Sequence, residues 1–346
     1  MGKIDDIAAA LIAELNAGKY PAGGHFPSEY ELSERFNAGR VTVNKAVSQL
    51  VQKGFLERGV RGSGTRVKAL TLYPQGHIIY LGKLVHMFCA ALVQGIYMAA
   101  AYRGYGLEVA MPTADDMAGF LDKVCASGKY AGIITHGYTM LDAERWPLPT
   151  VYVDTCSPVY DPACFHVANR NYEGAKALAG AVIKRGHREV VVYTHSDYMC
   201  SHRFYRVNGF MDAFKQHGLE CCSERLFVGM EYSMFDASST LRKIRSRFPQ
   251  VSVIMTPTDD LALDLVRVLR QQKIDHISVT GFGNVQGISD AYNLASADQH
   301  PFHLGSDAAN MLMDLAEGKN NQQPHIQYVD VEPVNIEAIP IIKPGV

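Results

Sequence analysis

From His77 onward the chain repeats one pattern: a short apolar run followed by a segment long enough for a helix. The runs are HIIYLG (77–82), GLEVA (106–110), YAGIIT (130–135), PTVYVD (149–154), EVVVYT (189–194), VSVIM (251–255) and HISVTG (276–281). Strands joined through helices pair side by side in parallel, and the helices then cover both faces of the sheet. These 270 residues are many for one sheet, and a fresh strand and helix begin at GHREVVVYT (186–194), which predicts two similar lobes in tandem. Two such lobes leave a cleft at the carboxyl ends of their strands, where open α/β sheets bind ligands.

The first 68 residues obey a different period. Ile4, Ile7, Leu11, Ile12 and Leu15 form one apolar helical stripe, with Gly18 as its stop signal. Ser28 and Glu31, after Pro27, make an S-x-x-E capping box that opens a second helix with Leu32 and Phe36 inward. Asn37-Ala38-Gly39 is a turn. A third helix follows, with Val43, Ala46, Val47, Leu50 and Val51 inward and Arg40, Thr42, Asn44, Lys45 and Ser48 outward. Gly54 ends it, and FLER (55–58) with TRVK (65–68) around RGSG (61–64) reads as a β-hairpin. This order is the plan of a winged helix-turn-helix, whose third helix enters the major groove of DNA.

Charge supports that plan only when the chain is divided. Thirty-three basic and thirty-five acidic residues give a formal charge of −2, which by itself points to no polyanionic partner. Residues 1–68 hold ten basic and seven acidic side chains, net +3, so the remainder carries −5. Within 35–68 eight bases stand against one acid, Glu57. Arg40 suits a guanine edge or a phosphate, Asn44 an adenine edge, and Thr42 and Lys45 phosphates. The same side chains also fit a merely solvated helix face; turn, helix and glycine-rich basic hairpin occurring together argue for DNA.

Other classes are excluded on composition or spacing. A 47% hydrophobic, 20% charged chain is neither disordered nor a coiled-coil rod. Seven cysteines without a Cys-x-x-Cys pair fit a reducing cytoplasm. Asp5, Asp6 and Glu14 argue against a signal peptide. Leu84 to Tyr102 is free of formal charge but holds His86, Gln94, Gly95 and several alanines, so it reads as a buried or interface helix, and no membrane partner is expected. Neither Cys156, Cys164 and His166 nor His300 and His303 have zinc-site spacing, and no G-x-S-x-G or H-E-x-x-H is present, so neither metal, cofactor nor catalysis is expected.

Residues 26–67, FPSEYELSERFNAGRVTVNKAVSQLVQKGFLERGVRGSGTRV, resemble the GntR family of bacterial regulators. Pro27, Ser28, Glu29, Leu32, Arg40, Thr42, Val43, Gly62, Gly64, Thr65 and Val67 stand in register with its pattern. The resemblance implies contacts to double-stranded operator DNA from Ser28, Arg40, Thr42, Asn44, Lys45, Arg61, Gly62, Gly64 and Thr65. Asn44 replaces a usual second Arg and Gly39 a usual Ser, which alters the operator sequence rather than the binding mode.

The remainder resembles the periplasmic-binding-protein-like effector domain of the LacI family through 167–193, 206–220, 253–274, ISVTGFGN (277–284) and 300–318. A GntR-type reader with such a domain is similar to the arabinose-repressor subfamily, whose members answer to sugars. The resemblance implies domains at 1–68 and 77–346 with a linker at 69–76, a cytoplasmic homodimer, and repression relieved or promoted by a carbohydrate. It places ligand contacts at His86, Phe88, His136, Asp154, His195, Arg206, Tyr232, Thr258, Asp259 and Asn284. It also puts the first helix of this domain at the dimer interface, with Val93, Tyr97 and Met98 opposite a Phe88, Leu92, Ile96, Ala99 stripe. Two departures stand out. Gly283 occupies a usual ligand-binding Asp, and Arg170 precedes Asn171 where Asp is usual, which together predict an acidic or more substituted ligand. The remaining alternative is an NAD(P)-type or sugar-processing α/β enzyme with an N-terminal assembly domain, since Gly281-x-Gly283-x-x-x-Gly287 follows a strand.

Overall fold

A computed structural model describes residues 2–16, 19–21, 23–59, 64–68, 73, 75–82, 84, 87–137, 141–154, 164–196, 202–219, 222–230, 234–285, 287–319 and 325–342. The chain divides into two compact units, Met1–Gly76 with Arg103–Gly106, and His77–Tyr102 with Leu107–Val346.

In the first unit α1 (Lys3–Asn16), α2 (Glu29–Arg35) and α3 (Arg40–Gln52) precede the antiparallel pair β1 (Leu56–Arg58) and β2 (Thr65–Val67). Each helix buries the stripe its sequence marks: Ile7, Leu11 and Leu15 from α1, Leu32 from α2, and Val43, Ala46, Val47 and Leu50 from α3. Leu56 and Val67 sit opposite each other in the hairpin and close this core with Phe26. Ser28 caps α2 as the capping box requires: its Oγ accepts from the Glu31 N–H, while its own N–H donates to Glu31 Oε2 at 2.7 Å. The segment before α2 adds a third edge to the hairpin, through Phe26 N–H to the Thr65 carbonyl and Gly23 N–H to that of Val67. Residues 61–63, and most of 69–76, lie outside the described residues.

The second unit begins with β3 (His77–Leu81), α4 (Met87–Tyr102), β4 (Gly106–Ala110), α5 (Met117–Ala126), β5 (Tyr130–His136), β6 (Thr150–Val153) and β7 (Phe165–Asn169). It continues with α6 (Asn171–Lys184), β8 (Val190–His195), α7 (His202–Gln216), β9 (Leu226–Gly229), α8 (Ala237–Arg247), β10 (Val253–Met255), α9 (Asp259–Gln271), β11 (Ser278–Thr280), α10 (Ile288–Tyr292) and β12 (Ser296–Asp298). It ends in α11 (Pro301–Ala316), β13 (Ile326–Val329) and β14 (Glu332–Val334). One sheet has the order β13-β7-β6-β5-β3-β4, the other β11-β10-β8-β9, and β12 and β14 form a short antiparallel pair. Pairing is parallel from β13 through β3 and throughout the second sheet, as alternation of strand and helix requires.

Each of the seven expected strands is present within two residues of its predicted bounds, and five short ones (β7, β9, β12, β13 and β14) were not legible. The lobes are not in simple tandem. The chain leaves the first lobe between β7 and α6, returns between β12 and α11, and leaves again between β13 and β14. The cause is the packing of α11, which buries Leu304, Ala308, Met311 and Leu312 against α4 and the first sheet. A Cβ on Gly95 would stand 2.0 Å from the Phe302 carbonyl oxygen, and one on Gly305 equally close to that of Leu92. The two backbones therefore meet where only glycine fits.

In the second lobe β8 shows the period of two that a sheet covered on both faces demands. Val190 and Val192 join the core under α6 and α7, and Val191 and Tyr193 the core under α8 and α9. On α4 the buried stripe is Cys89, Leu92, Ile96 and Ala100, while Met87, Tyr97, Met98 and Tyr102 are exposed. Among the described residues no helix is long and apolar enough to cross a membrane.

Candidate DNA-reading face and ligand cleft

In the first unit the outer face of α3 is open. Arg40 and Lys45 are exposed and Thr42 is half-buried beside them. Asn44 is less available than its sequence position suggests: its Nδ2 donates to the Glu29 carboxylate, which also lies 3.7 Å from the Arg58 guanidinium. Arg58 in turn donates to Ser48 Oγ at 2.9 Å. Ser28 is exposed with its hydroxyl in the α2 cap, and Gly64 and Thr65 form the near end of the wing. Arg61 and Gly62 lie outside the described residues. Behind this face the Arg35 hydrogen bond, helped by those from Lys19 and Tyr20, holds the Glu14 carboxyl at about 2.

In the second unit a cavity of about 80 Å³ lies between the lobes. The first lobe supplies Phe88, Cys89, His136 and Asp154; the second supplies Arg206, Thr258, Asp259, Asp260, Phe282, Gly283 and Val285; Gln299 comes from the second crossing. Six residues chosen from sequence, Phe88, His136, Asp154, Arg206, Thr258 and Asp259, thus meet on one wall-to-wall surface. Each stands at the carboxyl end of a strand or the start of the helix after it, except Arg206, which reaches in from α7.

Arg206 organises the cleft although it is only 3% exposed. Its Nε donates to Asn171 Oδ1 and its Nη1 to the Pro257 carbonyl, both at 2.8 Å. Its Nη2 is 3.9 Å from Asp154 Oδ2, and the guanidinium lies over the Phe282 ring. Asn171 Nδ2 donates to Asp154 Oδ1 at 3.0 Å, so an Asp-Asn-Arg chain runs from one lobe to the other. Asp259 is fixed as firmly: Oδ2 accepts from the Val285 N–H at 2.7 Å and Oδ1 from Ser296 Oγ at 2.6 Å. A Cβ on Gly281 would stand 2.0 Å from that Oδ1, which accounts for this glycine without a nucleotide. Burial pushes the Asp259 carboxyl up to about 6, with the charge of Asp260 adding to the effect. On the first lobe the Tyr80 hydroxyl is 3.2 Å from His136 Nδ1, and the His136 ring lies beside that of Phe88.

Other expected contacts fall elsewhere. His195 shares the parity of Val191 and Tyr193 along β8, so it turns into the second-lobe core. There its Nδ1 is 2.7 Å from the Met230 carbonyl oxygen and its ring meets Phe235 edge-on. Asn284 lines an adjoining cavity of about 400 Å³ that shares Phe88, Gly283 and Val285 with the first, and its Nδ2 donates to Asp298 Oδ2 at 2.8 Å. Arg170 adds no charge to the cleft, because it pairs with Asp330 at 3.0 Å and lies over Tyr328. His86 and Tyr232 lie outside the described residues. Sequence reading missed Cys89, Asp260, Phe282, Val285 and Gln299. Asp260 follows Asp259 and was within reach; nothing marks Gln299 before the crossing of the chain is known. Among the described residues no group of three or more His, Cys, Asp or Glu side chains could hold a metal ion.

A helix-turn-helix with a wing, joined to a two-lobed binding domain, defines a DNA-binding transcriptional regulator rather than an enzyme. Residues 3–67 match the model of bacterial regulatory proteins of the gntR family, and 179–335 match that of the periplasmic binding protein-like domain. The chain is 23% identical over 339 residues to the arabinose metabolism transcriptional repressor of Geobacillus stearothermophilus, covering 90% of each protein. It is 24% identical to the sucrose operon repressor of Lactococcus lactis subsp. lactis, over 66% of this chain and 70% of that one. The solved complex of the transcriptional regulator CelR with cellobiose superposes with a TM-score of 0.64 at 17% identity, covering 89% of this chain and 98% of that one. The particular make-up is a GntR-type reading head fused to a periplasmic binding protein-like effector domain, with arabinose-repressor-like relatives.

Proposed function

We propose that this protein is a cytoplasmic, homodimeric repressor whose operator affinity is set by a carbohydrate held in the inter-lobe cleft. Residues 1–68 would read DNA, 69–76 link, and 77–346 bind effector and dimerise. The observation that carries the reading is the cleft itself, where carboxylate, guanidinium, imidazole and hydroxyl groups line one small cavity beside the rings of Phe88 and Phe282. Such groups hydrogen-bond sugar hydroxyls while the rings cover apolar C–H faces. The names of the arabinose and sucrose repressors support the same ligand class.

A ligand touching both lobes binds one lobe arrangement better than another, and only that difference can alter DNA binding. The crossings offer a place for the change. Asn169 Nδ2 donates to the Gln299 carbonyl at 2.9 Å and Gln299 Nε2 to Asn169 Oδ1 at 3.0 Å, so two crossings are joined by a buried amide pair, one member of which lines the cleft. The exposed Tyr97, Met98 and Tyr102 on α4 supply an apolar face for a second copy. In each subunit Arg40, Thr42 and Lys45 on α3, with Asn44, Ser28 and the wing residues Arg61, Gly62, Gly64 and Thr65, would contact the operator.

The test is a mobility-shift titration with DNA from the protein's own upstream region. Binding is expected to weaken steeply with salt, with a log–log slope of about 0.9 per phosphate neutralised. No shift at low salt would defeat the reading.

A further inference from the structure

The DNA-reading face assigned above to α3 carries a ring of four polar side chains drawn from three elements, and the inference that follows rests on that assignment. Arg58, on β1, donates from Nη2 to Ser48 Oγ at 2.9 Å. Ser48 Oγ donates to Asn44 Oδ1 at 3.5 Å, and Asn44 Nδ2 donates to the carboxylate of Glu29, the first residue of α2. Glu29 closes the ring, 3.7 Å from the Arg58 guanidinium. Asn44 and Ser48 are four residues apart and so lie one above the other on α3. Arg58 is therefore held against that helix although it belongs to the hairpin, where it stands opposite Thr65.

The ring decides which of its members is suited to read a base. An adenine edge needs both ends of an asparagine amide, the oxygen for N6–H and the nitrogen for N7. Both ends of Asn44 are engaged, one of them by a carboxylate, so reading adenine would break two bonds. Arg58 is held at Nη2, one corner of a fork with five N–H donors, and its side chain is 47% exposed. Such a fork fits guanine O6 and N7, or a phosphate. The Glu29 carboxylate beside it repels a phosphate but not an uncharged guanine edge. Ser48 and Glu29 also order the side chain in advance, which lowers the cost of immobilising it on DNA.

We infer that Arg58 reads a guanine in the operator, and that Asn44, with Glu29 and Ser48, aims it rather than reading an adenine itself.

Full-length protein selects its site from a pool of randomised duplexes, and fluorescence anisotropy on single-pair variants of that site gives the preference at each position. The wild type is expected to favour one G·C pair in each half-site by about fivefold or more. Arg58→Ala and Arg58→Lys, which keeps the charge but not the fork, are both expected to lose that preference with the log–log salt slope unchanged. Asn44→Ala is expected to weaken the same G·C preference while every A·T preference stays as in the wild type. If Asn44→Ala fails to fold, Glu29→Gln, which loosens the ring from its other side, is expected to do the same. Relaxation at an A·T pair in Asn44→Ala overturns the inference. So does an Arg58→Ala protein that keeps its base preferences and loses about 0.9 of salt slope, since Arg58 would then meet a phosphate. A pool that yields no site, or an Arg40→Ala protein with every preference intact, overturns both the inference and the assignment of α3 as the reading face.

Discussion

The reading head and the ligand cleft place their polar side chains in opposite ways. On α3, Arg40 and Lys45 are exposed, outside the apolar core that holds the head together. In the cleft Asp154, Arg206 and Asp259 are each at most 3% exposed and are bound to one another, to Asn171, or to the loop at Val285. A surface that meets a polyanion can keep its charges in water until binding. A cavity that encloses a small ligand must satisfy its charges internally, because a buried unpaired ion is costly. Binding and stability are therefore separable in the head and entangled in the cleft.

Removing one central charge from each region tests that contrast most severely. Arg206→Ala removes the guanidinium that faces buried Asp154 and the donor to Asn171 Oδ1 and the Pro257 carbonyl, so the effector unit is expected to lose about 3–5 kcal/mol in denaturant unfolding, along with ligand binding. Arg40→Ala is expected to lose about 1–3 kcal/mol of operator affinity with no measurable change in melting temperature. Equal stability losses for the two variants would erase the distinction.

Acid sharpens it, because the two regions respond with opposite sign. The Asp259 carboxyl, at about 6 in the folded protein against an ordinary 3.8, binds its proton more readily folded than unfolded. The effector unit should therefore gain stability from this group, about 2 kcal/mol, as pH falls from above 6 toward 4. Asp259→Asn should flatten that gain in a pH series of melting curves. Glu14 works the other way. Held at about 2 against an ordinary 4.5, it stabilises the head at neutral pH and that contribution fades as pH falls from near 4.5 toward 2. The smallest effect expected is that of Glu14→Gln, about 1 kcal/mol or less at pH 7, since its partners Arg35 and Lys19 are both partly exposed.

The same contrast explains what the sequence revealed. The head was legible nearly to the residue because its signals are local: a capping box at Ser28 and Glu31, a stripe on each helix, and a hairpin closed by Leu56 and Val67. Even there, the pairing of Asn44 with Glu29 depended on how α2 and α3 pack. In the second unit the alternation gave parallel sheets, and six cleft residues followed from the family resemblance, five of them at strand ends or the starts of the helices that follow and Arg206 within α7. His195 did not, because the parity of β8 rather than its position at a strand end decides where it points. The three crossings were hidden because α11 and β13 join the first lobe through contacts with residues more than a hundred positions earlier. With the crossings unseen, Gln299 and its pairing with Asn169 could not be recognised.

One measurement addresses the central claim, that ligand in the cleft changes how the head holds DNA. Fluorescence anisotropy of labelled upstream DNA is followed with the full-length protein at fixed salt, with and without a sugar shown by calorimetry to bind. The account predicts a shift in operator Kd of at least about fivefold for the wild type, the lower end of ordinary coupling between sites, and none for Arg206→Ala at a protein concentration where it remains folded. A sugar that binds the cleft yet leaves operator Kd unchanged would contradict it.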